Sequence, residues 1–122
     1  MRDFTELAHR ARSQSVASGF AERGEKVRAS QDSAALADYY SNRITLIIGE
    51  CIEAHEELRK GHLMAHTYWK DGKPEGVPVE LADIVIRVMD LAEEVGIDLE
   101  HEVIAKLDFN LTRSRMHGGK AF

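Results

Sequence analysis

Four glutamates lie in the most apolar run of the chain, LIIGECIEAHEEL at residues 46 to 58. Winding this run as a helix places Glu50, Glu53 and Glu57 within an arc of about 60°, and leaves Glu56 to the solvent. Like charges at such spacings repel each other, and neither Glu50 nor Glu53 has a Lys or Arg four residues later to relieve it. Either these glutamates are the solvated side of an ordinary helix, or something cationic holds them together.

A second acidic stripe begins at ELAD. The same winding places five charged residues within an arc of about 80°, opposite a broad apolar face: Glu80, Asp83, Arg87, Asp90 and Glu94. Alone, this stripe has the pattern of a solvated helix face. If the two helices are antiparallel neighbours, however, ExxE and ExxD bring four carboxylates to one seam. Such oxygen donors suit Mg²⁺ or Mn²⁺ carrying phosphates, which favours phosphate ester or anhydride chemistry.

The elements that must position these acids are helices. Apolar spacing predicts one long helix from Ser33 to Lys60, with Ile47, Ile48 and Cys51 in the core. After a break rich in Pro and Gly, a second helix spans Val79 to Val95 and ends at Gly96. No run alternates apolar and polar residues as a strand would. The pattern predicts an all-α fold, a compact bundle of about four helices.

Two further helices complete the predicted bundle. Asp98 is expected to cap a helix that Gly118-Gly119 closes. Near the N-terminus, apolar residues from Phe4 onward mark a helix that weakens through SQSVASG, and residues 12–33 are expected to be partial helix or loop.

Length and charge limit the class of protein. A chain of 122 residues predicts one domain over residues 1–122, with residues 1–32 the less regular part. The net charge of −5 argues against binding a nucleic-acid polymer. No apolar run is long enough for a membrane span or an export signal, so a cytoplasmic location is expected. The single cysteine, Cys51, is expected to be a small buried residue.

Three segments together carry a resemblance to a known family. GECIEAHEELRKG, PEGVPVELADIVIRVMDLAEEVGIDLE and KLDFNLTRSRMHGGK resemble the MazG-like members of the all-α nucleoside triphosphate pyrophosphohydrolases, continuously from about residue 46 to 120. The resemblance implies Mg²⁺-dependent hydrolysis of a nucleoside triphosphate to the monophosphate and pyrophosphate, with Mn²⁺ as a possible substitute. It also implies a homodimer or a dimer of dimers. Its implied metal ligands are Glu50, Glu53, Glu80 and Asp83.

One position departs from the family pattern. Gly49 stands where many members carry a further Glu. The number of ions and the group that activates water therefore stay open, and Glu57 is a candidate to accept the proton of water. The alternative function is a non-catalytic nucleotide-binding or regulatory module.

A di-metal redox bundle needs Glu-x-x-His pairs, for which the chain offers only Glu6 with His9 and, less well, Asp98 with His101.

A basic stripe on the last helix provides candidate substrate-binding residues. Lys106, Asn110 and Arg113 fall within about 60° of one another. They complement the helix dipole or, as the resemblance implies, bind the substrate together with residues of the tail: Arg115, His117 and Lys120. Among the aromatic residues, Trp69 is expected to anchor a loop to the core, and Phe20 is a candidate to close over a base.

Overall fold

The protein is described by a computed structural model that covers residues 3–113, and within them it consists of five helices and one short hairpin. The elements in chain order are α1 Phe4–Ala17, α2 Glu22–Ser30, α3 Ser33–Arg59, β1 Tyr68–Lys70, β2 Lys73–Glu75, α4 Val77–Val95 and α5 Leu99–Leu111. The predicted all-α class is confirmed. No helix in residues 3–113 is long and apolar enough to cross a membrane.

The ends of the long helices follow local signals in the sequence. Asp32 caps α3 by accepting hydrogen bonds from the backbone amides of Ala34 and Ala35, each at 3.1 Å. Gly96 ends α4 in the left-handed conformation, with φ 77°, which a glycine adopts without steric cost. Asp98 caps α5 as predicted, but that helix ends at Leu111, before the Gly118-Gly119 pair.

Helices α3 and α4 are antiparallel neighbours. In the side-chain pairs between them, the residue number falls along α4 as it rises along α3. The Tyr39 hydroxyl lies 2.6 Å from Glu94. Arg43 lies 3.0 Å from Asp90, and Glu50 lies 2.6 Å from Arg87. On its other side α4 packs against α1, where Ala8 and Ala11 are buried against Met89. The acidic side of α4 therefore faces α3, and is not the solvated face that its pattern alone favours.

A buried ionic network joins the first four helices. The Glu94 side chain has no exposed surface and accepts hydrogen bonds from Arg28, Tyr39 and Arg43 at 2.7, 2.6 and 3.1 Å. Burial alone would raise the pKa of Glu94, but the hydrogen bonds from Tyr39 and Arg28 hold it below its usual value. Burial and the bond to Glu94 raise the pKa of Tyr39 to about 12.

The region from residue 1 to 32 is more regular than predicted. Helix α1 continues to Ala17 through the Ser-rich stretch, and α2 occupies much of the segment expected to be partial helix or loop. The apolar pattern of α2 is poor because polar contacts hold this helix in place: Arg28 binds Glu94, and buried Gly24 lies against the same carboxylate. The spacing of apolar residues along a sequence gives no information about polar contacts of this kind.

The expected core positions of α3 are wrong in part. Cys51 is exposed and Ile48 is 53% exposed, whereas Ile47 is half-buried. The physical reason is that α3 turns its polar side toward α4, so its apolar stripe points away from the rest of the chain. Helix α5 likewise contains no buried residue. These faces leave an unusual amount of apolar surface exposed on one chain.

The hairpin was not predicted, because each strand has only three residues. Tyr68 pairs with Glu75 and Lys70 with Lys73, so the chain reverses tightly after α3 and returns to the start of α4. Trp69 is 69% exposed, and the prediction that it anchors this loop to the core is wrong. The half-buried residue of β1 is Tyr68, whose hydroxyl donates a hydrogen bond to Glu57.

Candidate metal centre

Three of the four predicted ligands meet at the seam between α3 and α4. Glu50, Glu80 and Asp83 each offer a carboxylate oxygen, and these oxygens all lie within 4.8 Å of one another. Glu53 lies close enough to Glu80 for its negative charge to raise the pKa of that carboxyl group, but it does not belong to this close triad. The antiparallel packing of ExxE on ExxD therefore brings the predicted acids together.

The carboxyl group of Glu80 is strongly perturbed. Glu80 is only 8% exposed, and burial is the largest cause that raises its pKa to about 7, followed by the negative charges of Glu53, Asp83 and Glu50. Burial and the charge of Glu50 also raise the pKa of Asp83, while the positive charges of Arg87 and Lys73 act against that change. The seam thus holds more negative charge than its positive neighbours balance.

One oxygen of Glu80 has no partner among the described residues. Its Oε2 atom is buried and accepts no hydrogen bond. A buried carboxylate oxygen without a donor is costly, and such groups usually mark a ligand, ion or water site. Oxygen donors clustered at this spacing match the preference of Mg²⁺ and Mn²⁺ for hard ligands. The residues of the seam therefore fit a divalent cation.

Arg87 is the charged neighbour that the triad already has. Its Nε atom donates to Glu50 Oε1 at 2.6 Å, and the Glu50 side chain is 12% exposed. Sequence reasoning placed Arg87 on the acidic stripe but gave it no role. Its guanidinium group neutralises part of the charge of Glu50 and keeps a cation beside the seam.

A second carboxylate group shares Glu80. Oxygens of Glu57, Glu75 and Glu80 also lie within 4.8 Å of one another. Glu57 is buried and accepts a hydrogen bond from the Tyr68 hydroxyl at 2.9 Å, while His62 lies 3.6 Å away. The hydrogen bond to Tyr68 fixes the orientation of the Glu57 carboxylate.

Glu75 was missed by sequence reasoning. Nothing in its spacing connects it to either acidic helix, because it lies in β2 and reaches the seam only through the reversal of the hairpin. Its position just before α4, in the segment KPEG, was the one available signal.

The predicted basic residues do not join these carboxylates. Lys106 and Asn110 are exposed on α5, which packs against α1, and Arg113 is exposed just beyond the end of that helix. Lys106 and Arg113 lie over the ring of Phe109, at 5.0 and 6.0 Å from its centroid. Arg115, His117 and Lys120 lie outside the described residues.

The pairs considered for a redox bundle also lie elsewhere. The Asp98 carboxylate accepts the backbone amide of His101, as a helix cap, and His9 lies 3.4 Å from Glu93. Neither histidine joins the two carboxylate groups at the seam, and within residues 3–113 the clusters able to hold a metal are composed of Asp and Glu.

The fold and the seam define an all-α protein with an acidic site between two antiparallel helices. Comparisons of the chain with protein-family models, with curated proteins and with solved structures find no match.

Proposed function

We propose that this protein is a nucleoside triphosphate pyrophosphohydrolase, which hydrolyses its substrate to the monophosphate and pyrophosphate with Mg²⁺, or with Mn²⁺ in its place. The observation that carries the proposal is the convergence of Glu50, Glu80 and Asp83 beside a buried Glu80 oxygen that has no hydrogen-bond donor within residues 3–113. The choice of reaction at this cation site rests on the resemblance of three sequence segments to the MazG-like family.

The residues of the seam have separate roles in this proposal. Glu50, Glu53, Glu80 and Asp83 would hold the ion, which supplies neutralisation of the phosphate charge when it is bound. Glu57, oriented by Tyr68, accepts a proton from the attacking water. The water oxygen forms a bond to the α phosphorus, the bond from that phosphorus to the oxygen bridging the α and β phosphates breaks, and pyrophosphate leaves with that oxygen.

The proposed assembly is a homodimer, or a dimer of dimers, in the cytoplasm. Its support is the exposed apolar surface of α3 and α5, where Ile44, Ile52 and Ile104 are 55%, 57% and 52% exposed. Contiguous apolar faces on one chain are typical of interfaces between subunits. Sedimentation velocity over a range of protein concentrations measures the mass. A monomer at every concentration would contradict the assembly but not the reaction.

A panel of nucleoside triphosphates, with products separated by ion-exchange chromatography, tests the reaction. Monophosphate and pyrophosphate are expected in Mg²⁺ and neither in excess EDTA. Glu53→Gln and Asp83→Asn are expected to abolish turnover while the helical circular dichroism is unchanged. The matched control is Glu56→Gln, because Glu56 has a 43% exposed side chain and pairs with Arg59 on the same helix. Release of the nucleoside diphosphate and orthophosphate, or full activity in both seam variants, would refute the proposal.

The non-catalytic alternative is favoured by one feature of the seam. At Gly49 an added Cβ would meet nothing within 4 Å, so this side of the seam has room for an acid that the chain lacks. A module of this kind would bind the nucleotide and not cleave it. Metal-dependent binding in calorimetry, with no product after prolonged incubation, would select this alternative.

A further inference from the structure

A cleft opens beside the acidic seam. It has a volume of about 520 Å³ and is enclosed by residues of the first four helices and of the turn between α1 and α2. Glu50 and Asp83 of the metal triad line it, together with Phe20, Arg23 and Asn42. Its volume lies in the range of sites for small organic ligands.

Phe20 is an aromatic residue presented to this cleft by a fixed turn. Its side chain is 78% exposed, although its neighbour Ala21 is only 2% exposed. The Phe20 amide donates to the Ser15 carbonyl at 3.1 Å, and Gly19 supplies the left-handed conformation, φ 82°, that the turn requires. An exposed ring on an anchored backbone is suited to stacking against a planar ligand, with little conformational entropy to lose.

Arg23 is the cation of the cleft that remains available to a ligand. Arg43 is bound to Asp90 and Glu94, and Arg87 is bound to Glu50. Arg23 is exposed, and its side chain makes no ion pair or hydrogen bond with any of residues 3–113. Arginine is well suited to bind phosphate oxygens, because its planar guanidinium group presents several donors.

We infer that this cleft is the nucleoside-binding half of the site: Phe20 stacks on the base, Asn42 hydrogen-bonds to the base or sugar, and Arg23 binds the phosphate chain. The inference rests on the proposed function, because it places the phosphates at the carboxylates of Glu50 and Asp83. It assigns substrate recognition to the turn before α2 and not to the basic stripe of α5.

Stacking also predicts the breadth of the substrate class. Every base has a flat face, and aromatic stacking therefore tolerates changes of base. The amide side chains that line the cleft are those of Asn42 on α3 and Gln14 on α1. We expect purine and pyrimidine nucleotides to depend on Phe20 to a similar degree.

Calorimetric titration with two kinds of ligand tests the inference. The first is the set of α,β-methylene analogues of ATP, GTP, CTP and UTP with Mg²⁺, which cannot be cleaved at the proposed bond. The second is Mg²⁺-tripolyphosphate, which has the phosphates without a nucleoside. Phe20→Ala is expected to weaken the binding of the four analogues about 5- to 150-fold and to leave the binding of tripolyphosphate unchanged. Phe20→Tyr keeps the ring and is expected to retain affinity.

The controls separate stacking from any general effect of a mutation. Trp69→Ala removes another exposed aromatic side chain, outside the cleft, and should bind all ligands as the wild type does. Arg23→Gln should weaken the binding of both kinds of ligand about tenfold. Arg10 lies on α1 outside the cleft, so Arg10→Gln should change the binding of neither.

The outcomes distinguish the inference from the function on which it rests. If the wild type binds the analogues and Phe20→Ala binds them equally well, the cleft assignment is wrong and the proposed function stands. If Phe20→Ala weakens tripolyphosphate as much as the analogues, stacking is also refuted. If the wild type binds neither kind of ligand, the proposed function fails and the cleft assignment with it.

Discussion

The buried carboxyl group of Glu80 provides a quantitative test of the acidic seam. Glu80→Gln removes the charge of a side chain that is 8% exposed and keeps nearly the same shape. In the folded chain the pKa of Glu80 is raised from 4.5 to about 7. Between these two values the folded chain binds more protons than the unfolded chain, so the free energy of unfolding falls as the pH rises.

The size of the effect follows from the pKa of Glu80. One pKa unit corresponds to about 1.36 kcal/mol, so the shift corresponds to at most about 3 kcal/mol above pH 7. Without metal, Glu80→Gln is therefore expected to raise the free energy of unfolding by about 1 to 3 kcal/mol at pH 8. At pH 5 the gain should be much smaller, because folded Glu80 is already protonated.

Urea denaturation followed by circular dichroism, in EDTA at pH 5 and pH 8, measures this difference. Glu56→Gln is the control, since Glu56 is on the solvated side of α3 and its loss should change stability by no more than about 0.5 kcal/mol. The reasoning is refuted if Glu80→Gln changes stability by the same amount at both pH values, or if it destabilises the chain at pH 8.

Four further outcomes test the packing and the cation site. Gly24→Ala would push a methyl group into the buried Glu94 carboxylate, and should lower the free energy of unfolding by about 1 to 3 kcal/mol in urea titrations. Gly49 lies in the middle of α3, where an added Cβ meets nothing within 4 Å, so Gly49→Ala should instead raise the free energy of unfolding by about 0.5 to 1 kcal/mol. Arg43→Met leaves two buried carboxylates short of a partner and should cost about 3 to 5 kcal/mol. Mg²⁺ should raise the Tm of the wild type but not of Asp83→Asn, and equal shifts would contradict the site.

Sequence predicts the helices well where local signals dominate. Asp98 and Gly96 mark ends that depend only on the backbone near them, and the structure places both as predicted. Helix α2 was harder to predict, because Arg28 and Gly24 contact a glutamate 66 and 70 residues away on α4. Such contacts leave no periodic trace in the chain.

The acidic seam was predicted more fully than its surroundings. ExxE and ExxD each have helical spacing, so antiparallel packing was enough to bring Glu50 and Asp83 together. Glu75 could not be predicted, since its approach depends on the hairpin. Charge pattern also cannot tell a solvated stripe from an internal one, and Glu94 lies on the inner side because Arg28, Tyr39 and Arg43 bind it there.

The ionic network at the far end of α4 has a consequence for the acidic seam. Mutual repulsion among the acids near Glu80 pushes α3 and α4 apart or past each other. Asp90 and Glu94 lie ten and fourteen residues farther along α4, about 15 and about 21 Å away, and both are tied to α3 through Arg43. Sliding by one helical turn would break these ties and bury unpaired charges. The pairs at one end thus keep the two helices in register, and this register holds the carboxylate oxygens at the other end close together.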